Sequence, residues 1–219
     1  MKKESLKQQA YNIIKSKIVS CEYPPNTLLN EEMLKEDIQA SRTPIRDALG
    51  RLEQEGLVKI LPKKGIMVTP LTIREINMVH EARTLIEPFA IKNYGNRISD
   101  STYQELFLIF QKHIDSSSHL SEYYTQDNRF HEMFINATCN DYLISAYDRI
   151  SYQNTRLRIF SGIKSKNRLI TTQNEHRKIV EYCLKKDWER AAAAMEEHLY
   201  HSKEAAFEAA FQTGDMEIK

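Results

Sequence analysis

The chain has 219 residues, of which 41% are hydrophobic and 28% charged, with only 6 Gly and 6 Pro, as expected of a folded globular protein with one large domain or two smaller ones. No apolar run approaches the roughly 20 residues that span a bilayer, and the polar start is unlike a signal peptide, so a cytoplasmic protein that does not enter a membrane is expected. Residues 1–70 hold 12 Lys and Arg against 9 acidic residues, which makes this part the candidate for contact with nucleic acid.

The N-terminal part predicts three helices followed by a two-stranded hairpin. Apolar residues recur at helical spacing over residues 6–19, and "CEYPPNT" then ends that helix. A short second helix is predicted over "NEEMLKEDI" with Asn30 as its N-cap, and a third from near Ser41 to Gly56. The runs "LVKIL" and "IMV" around "PKKG" predict the hairpin. This order of elements predicts a winged helix-turn-helix DNA-binding domain over residues 1–70.

The third helix carries Arg42 and Arg46 one turn apart, on the face opposite its apolar residues. Cations at a helix N-terminus oppose the helix dipole, so an anion from outside the chain is expected there. In a helix-turn-helix these positions face the major groove, where arginine binds guanine in a bidentate manner. The alternative is that both are solvated surface charges, but the three-helix-plus-wing context favours contact with double-stranded operator DNA.

Other residues near these arginines are predicted to contact the DNA backbone. Ser41 and Thr43 can cap the third helix or reach a phosphate. Lys63 and Lys64 at the hairpin tip can neutralise phosphates, and Gly65 lets the backbone approach the DNA closely.

Residues 71–219 show no strand signals and predict an antiparallel, all-helical bundle, so the fold class is mainly α. The predicted helices cover residues 72–95, 99–117, 120–138, 141–161, 166–185 and 187–211. The three cysteines are far apart and form no CxxC pair, so they are expected to be buried free thiols rather than a disulfide framework or a zinc site.

Four ionisable side chains in this bundle fall at the centres of apolar faces: Asp127, His131, His176 and His198. The last two each lie 11 residues from Asp187 in a predicted turn, so they should face each other across an antiparallel helix pair. Three imidazoles and a carboxylate predict a divalent transition metal, with zinc or nickel as the first choices. The alternative is that each is an ordinary buried residue with local partners. Four histidines lack comparable partners and are left out of the site: His80, His113, His119 and His201.

Arg83 lies among apolar residues of its predicted helix, and a permanently charged guanidinium there requires an anion. Glu87, one turn later, is one candidate. The other is the carboxylate of a small organic acid that bridges Arg83 and the metal. Asn154 also faces inward and could add a donor or acceptor to that ligand site.

Long stretches of the chain resemble a known family. "ASRTPIRDALGRLEQEGLVKILPKKGIMV" is similar to the DNA-binding part of the GntR family of bacterial transcription regulators, and "EARTLIEP", "DNRFHEMF", "NEHRKIVEYCLKKDWERA" and "MEEHL" are similar to its FCD ligand-binding domain. The chain departs from the family at Asn26, where Pro-Gly is usual, and at Gln39, where Gly is usual. The resemblance implies a metal and an organic-acid effector in the bundle. The positions that it implies for DNA contact are Ser41, Arg42, Arg46 and Gly65. Those that it implies for the metal and the effector are Arg83, Asp127, His131, His176 and His198.

Taken together, these features predict a metabolite-responsive transcription regulator that binds its operator as a homodimer and is not an enzyme. The alternative is a metal-dependent enzyme acting on a small carboxylate, since a histidine-rich site can activate water. "HEMFI" begins like a zincin motif, but Ile135 stands where the second histidine is required. A third possibility is a bundle that the metal only braces.

Overall fold

A computed structural model of the chain describes residues 5–111, 120–160 and 166–213. The chain divides into two compact units, with the boundary between Thr72 and Ile73. Across the three described ranges, no helix combines the length and the apolar character needed to cross a bilayer. His113 and His119 lie outside the described residues, as does the last part of the helix predicted over 99–117.

The N-terminal unit contains the three predicted helices and the predicted hairpin. Its elements are α1 (Leu6–Val19), β1 (Leu28–Leu29), α2 (Glu31–Ile38), α3 (Arg42–Gln54), β2 (Val58–Leu61) and β3 (Gly65–Val68). β1 was not predicted from the sequence; it pairs antiparallel with β3 and makes a three-stranded sheet in the order β1-β3-β2.

Local hydrogen bonds and backbone angles explain where these helices begin and end. The Asn30 side chain accepts a hydrogen bond of 2.8 Å from the Met33 backbone N–H and so caps α2 as predicted. α2 ends at Gln39 in the left-handed conformation, with φ 55° and ψ 41°. Gly56 follows α3 with a φ of 75°, which glycine adopts without strain.

The core of the N-terminal unit forms where α3 packs on α1. The residues buried at the centre of this unit are Ile14, Ile18, Leu34, Ile45, Leu49, Leu52 and Val68. Arg51, on the exposed side of α3, is held within the unit, because its guanidinium lies 3.7 Å from the centre of the Tyr11 ring and donates to Glu55 at 3.2 Å.

The C-terminal unit is the predicted helical bundle. Its helices are α4 (Ile73–Tyr94), α5 (Asp100–Gln111), α6 (Leu120–Ala137), α7 (Asp141–Phe160), α8 (Lys166–Leu184) and α9 (Trp188–Thr213), with a 3-10 turn at Gly95–Arg97. α4 packs against α6, α7 and α9, while α8 packs against α5 and α9. This arrangement brings the inward faces of α4, α6, α8 and α9 around one interior.

The 3-10 turn between α4 and α5 requires a glycine. A Cβ atom at Gly95 would lie 2.8 Å from the Trp188 ring, so glycine is required where this turn meets α9.

None of the three cysteines forms a disulfide, but the expectation that all three are buried is wrong. Cys183 is buried in the core, whereas Cys21 is half-buried and Cys139 is exposed. Both of these lie at turns with positive φ rather than on an inward helical face.

Candidate metal centre and nucleic-acid interface

Helix α3 presents its two N-terminal arginines to the surface. Arg42 and Arg46 have side chains that are 63% and 66% exposed, on the face opposite the buried Ile45 and Leu49. This is the orientation predicted for contact with DNA. Ser41 and Thr43 are also exposed, but the Ser41 hydroxyl makes no capping hydrogen bond to α3, so the capping role predicted for it is wrong.

The tip of the β2–β3 hairpin contains two residues with positive φ, Lys63 and Gly65. Lys63 and Lys64 are exposed there, and Lys63 takes a left-handed φ of 63°. Gly65 has a φ of 116°, and a Cβ at this position would lie 2.6 Å from the carbonyl oxygen of Leu29 in β1. Glycine is therefore required by the packing of the sheet itself, independently of any approach to DNA.

In the bundle, three helices bring three histidines together. His131 on α6, His176 on α8 and His198 on α9 are all buried, and each offers a ligand atom within 4.8 Å of the other two. The Nε2 atoms of His176 and His198 lie 3.3 Å apart, which confirms the prediction that these two residues face each other.

Two carboxylates orient the imidazoles. Glu87 on α4 accepts a hydrogen bond of 2.6 Å from Nδ1 of His131, and Glu175 on α8 accepts one of 2.7 Å from Nδ1 of His198. Each bond fixes the proton on Nδ1 and leaves the Nε2 lone pair directed away, as in metal sites where a carboxylate supports a histidine ligand. Neither carboxylate was recognised from the sequence as part of the site, although Glu175 directly precedes His176.

The buried atoms of this cluster fit a cation. Among the described residues, Nε2 of His131 is buried and has no hydrogen-bond partner. A buried polar atom without a partner is costly, and a metal ion would satisfy it. Burial lowers the pKa of His198 to about 4 and the pKa of His176 well below its usual value, so both imidazoles are neutral near pH 7 and able to bind a metal.

Asp127 lies beside the three histidines. Its carboxylate oxygens are 3.9 Å from Nε2 of His131 and 3.8 Å from Nε2 of His176. Arg158 on α7 donates to this carboxylate and also to the Asn128 side chain. Burial raises the pKa of Asp127, but Arg158 and the imidazoles outweigh that effect, so the pKa lies below its ordinary value and the carboxylate is ionised. The role of Arg158 was not predicted.

Arg83 is paired with protein side chains, as in one of the two alternatives predicted. Its Nε donates to Glu87 at 2.6 Å, and its Nη1 donates to the side-chain oxygen of Asn154 at 3.1 Å. The Tyr147 hydroxyl donates to the same Glu87 oxygen at 2.7 Å. Glu87 is thus the centre of a buried network that joins Arg83 to His131.

A small cavity of about 30 Å³ lies beside this network. That volume accommodates an ion and one or two water molecules. An organic acid therefore needs side chains to move aside before it can enter. The charged and imidazole side chains that line the cavity are Arg83, Asp127, His131, Arg158, Arg168 and His198.

Two of the histidines left out of the predicted site have other partners. His80 is buried, with Nδ1 2.9 Å from the carbonyl oxygen of Ile76 and Nε2 3.5 Å from the Ser202 hydroxyl. His201 is partly exposed, and its Nδ1 lies 2.8 Å from a Glu175 oxygen.

Family models match both units of the chain. The model for bacterial regulatory proteins of the gntR family matches residues 6–68, and the FCD domain model matches residues 78–201. The chain is 27% identical over 203 residues to YdhC of Bacillus subtilis, an uncharacterized HTH-type transcriptional regulator, with 90% of this chain and 88% of that protein covered.

Solved structures share the fold. Escherichia coli McbR/YncC has a TM-score of 0.79 at 18% identity, with 94% of this chain and 99% of that chain covered. The Zn²⁺-bound FCD domain of TM0439 has a TM-score of 0.55 at 21% identity, with 65% and 98% covered. The family models and the sequence relative point to a transcription regulator and give no support to the alternative of a metal-dependent enzyme. The chain belongs to the GntR family of bacterial transcription regulators and carries an FCD domain.

Proposed function

We propose that this regulator binds operator DNA as a homodimer in the cytoplasm and senses a small organic acid at a metal ion in its FCD domain. The observation that carries the sensing part is the convergence of His131, His176 and His198, with two buried imidazole nitrogens, Nε2 of His131 and Nδ1 of His176, left without a hydrogen-bond partner among the described residues. An effector that favours one packing of the bundle would change operator affinity through the coupling free energy between the two sites.

His131, His176, His198 and Asp127 would hold the metal. Imidazole nitrogens suit Zn²⁺ and Ni²⁺, and the structurally similar FCD domain of TM0439 is described as Zn²⁺-bound, which supports zinc as the first choice. The ion would supply a positive centre that attracts a carboxylate. Glu87 and Glu175 would hold His131 and His198 in the orientation that the ion requires.

Arg83 and Asn154 would bind the effector. Both are buried, and Arg83 lines the cavity beside the histidine cluster, but the two side chains are bonded to each other in the described state. A carboxylate that reaches Arg83 must compete with Glu87 and Asn154. Arg158, which also lines the cavity, is paired with Asp127. Effector binding would thus be coupled to rearrangement of α4 and α7, the helices that carry these residues.

For DNA, we propose that the N-terminal unit makes two kinds of contact, one to base edges and one to the DNA backbone. Arg42 and Arg46 would bind base edges in the major groove. The backbone contacts would come from Ser41, Thr43, Lys63, Lys64 and Gly65.

A thermal-shift screen of small carboxylates against the Zn²⁺-loaded protein tests the sensing proposal. An effector at 100 times its Kd stabilises the folded state by about 2.7 kcal/mol, which corresponds to a rise in melting temperature of roughly 5 to 10 °C. We expect this rise with zinc present and a much smaller one after chelation. If no carboxylate raises the melting temperature, or if the same rise occurs without metal, the sensing proposal is wrong and the metal only braces the bundle.

The exposed face of α4 supports the homodimer. Met78, Leu85 and Phe89 are exposed large apolar side chains at spacings of seven and four residues, so they lie along one side of the helix. Tyr200 of α9 is also exposed and borders the same groove as Leu85. Large exposed apolar side chains grouped along one side of a helix are typical of a subunit interface.

Leu85→Asp is expected to weaken the dimer roughly 100-fold, because it places a charge on the apolar surface that the partner would cover. Analytical ultracentrifugation over a concentration series measures the change. Leu108→Asp is the matched control, since Leu108 on α5 is 59% exposed against 70% for Leu85 and lies outside this face. Equal dissociation constants for the two variants would show that the α4 face is not the interface.

A further inference from the structure

The first turn of α2 carries two carboxylates that bind both arginines of the recognition helix. Glu31 accepts two hydrogen bonds from Arg46, from Nε at 2.7 Å and from Nη2 at 3.0 Å. Glu32 accepts a hydrogen bond from Nη2 of Arg42. The two side chains proposed to read DNA are therefore each paired with an acid from the preceding helix.

Helix stability does not require these pairs. α2 already has an N-cap in Asn30, and two acidic residues in its first turn would favour the helix dipole without any arginine. The arginines are largely exposed, and exposed ion pairs contribute little to the free energy of folding. A bidentate pair does fix the plane of a guanidinium, however, and here it does so at the surface where a base edge would be read.

We propose that Glu31 and Glu32 are specificity-determining residues, which hold Arg46 and Arg42 ready for base edges and weaken binding to DNA that offers only phosphates. This inference rests on the proposed DNA-binding role of the two arginines. With this inference, the proposed DNA-binding surface includes two acidic residues beside contacts that are otherwise basic or neutral.

Competition between anions gives the physical reason. Non-specific binding depends almost wholly on phosphate neutralisation. An arginine that is already paired gains little from a phosphate, and the neighbouring carboxylate repels that phosphate. A guanine edge offers a bidentate partner of fixed geometry and carries no net charge, so it can replace the carboxylate without that repulsion. The acidic pair therefore penalises non-specific complexes more than specific ones.

The carboxylates stay charged under the conditions of DNA binding. Hydrogen bonding from Arg46 lowers the pKa of Glu31, and hydrogen bonding from Arg42 lowers the pKa of Glu32. Both groups are then ionised at neutral pH, so the competition with phosphate is always present.

Glu31→Gln and Glu32→Gln test this inference, because glutamine keeps the shape of the side chain and removes its charge. Two duplexes of equal length serve as probes: one selected from a random-sequence pool by the wild-type protein, and one with the same bases shuffled. Fluorescence anisotropy over a KCl series gives both affinities. Glu36→Gln is the control, since Glu36 is an exposed acid on α2 for which the described residues show no ion pair.

We expect each variant to bind the shuffled duplex about 3- to 10-fold more tightly and the selected duplex with a smaller change, so that the preference falls. The slope of log Kd against log salt for the shuffled duplex should steepen by about one for each arginine released. Glu36→Gln should leave the preference at the wild-type value.

Two different failures can be told apart. If the wild-type protein prefers the selected duplex and both variants keep that preference, the inference about Glu31 and Glu32 is wrong while the DNA-binding role of the arginines stands. If the variants have a lower melting temperature and lose affinity equally for both duplexes, Glu31 and Glu32 have only a structural role, and the inference is also wrong. If the wild-type protein yields no preferred duplex, the proposed DNA-binding function itself fails.

Discussion

Replacing His176 with alanine is expected to remove metal binding from the FCD domain while leaving operator binding intact. His176 is completely buried between His198 and Asp127, and its loss leaves two imidazoles for the ion. Changing a residue that only supports a ligand costs metal affinity about 10- to 100-fold, so the loss of a ligand should exceed about 100-fold. Competition with a chelating indicator measures the zinc affinity, and metal analysis of the purified protein measures the content.

His80→Ala is the matched control for this variant. His80 is also a buried histidine of the bundle, but it contacts Ile76 and Ser202 rather than the cluster. Both variants lose a buried ring and should lose stability, measured as the melting temperature of the metal-free protein. Zinc affinity should fall only in His176→Ala. Should the two variants keep equal zinc affinity, the cluster is not the metal site.

Replacing Arg46 with alanine should remove most of the operator preference and leave the zinc content unchanged. A bidentate arginine contact with guanine discriminates against the wrong base by about 1 to 3 kcal/mol, and a dimer carries two copies. The preference for a selected duplex over a shuffled one should therefore fall by roughly 30-fold or more. Gel-shift or anisotropy titrations at a fixed, moderate salt concentration measure this ratio.

Arg51→Ala provides the comparison on the same helix. Arg51 has the same charge, but it stacks on Tyr11 and bonds Glu55, so its loss should lower the stability of the N-terminal unit without changing sequence preference. If Arg46→Ala and Arg51→Ala reduce the preference equally, the proposed assignment of base reading to the N-terminal turn of α3 is incorrect.

The fold was largely predictable because its signals are local. The spacing of Ile45, Leu49 and Leu52 defines the inward face of α3, and Asn30 marks the start of α2. The missed strand, Leu28–Leu29, is only two residues long and shows no alternation of its own. It is a strand because β3 lies beside it, and a partner so far away in the chain leaves no local signal.

At the candidate site too, features within one helix could be predicted from the sequence, and contacts between distant residues could not. The three histidines could be placed because each occupies an inward position of its own helix, and the facing of His176 and His198 followed from their equal distances to a turn. Arg158 bonds Asp127 across 31 residues, and Glu31 bonds Arg46 across 15. Spacing within one helix carries no information about such pairs, because they depend on the rotation and offset of two packed helices.

X-ray absorption spectroscopy at the zinc edge of the Zn²⁺-loaded protein tests most directly whether three imidazoles share one metal ion. We expect a spectrum with three imidazole ligands and oxygen in the remaining positions, at one zinc per chain, and a loss of that signature in His176→Ala. A spectrum with one imidazole or none, or one that His176→Ala leaves unchanged, would contradict the metal centre and with it the proposed sensing of an organic acid.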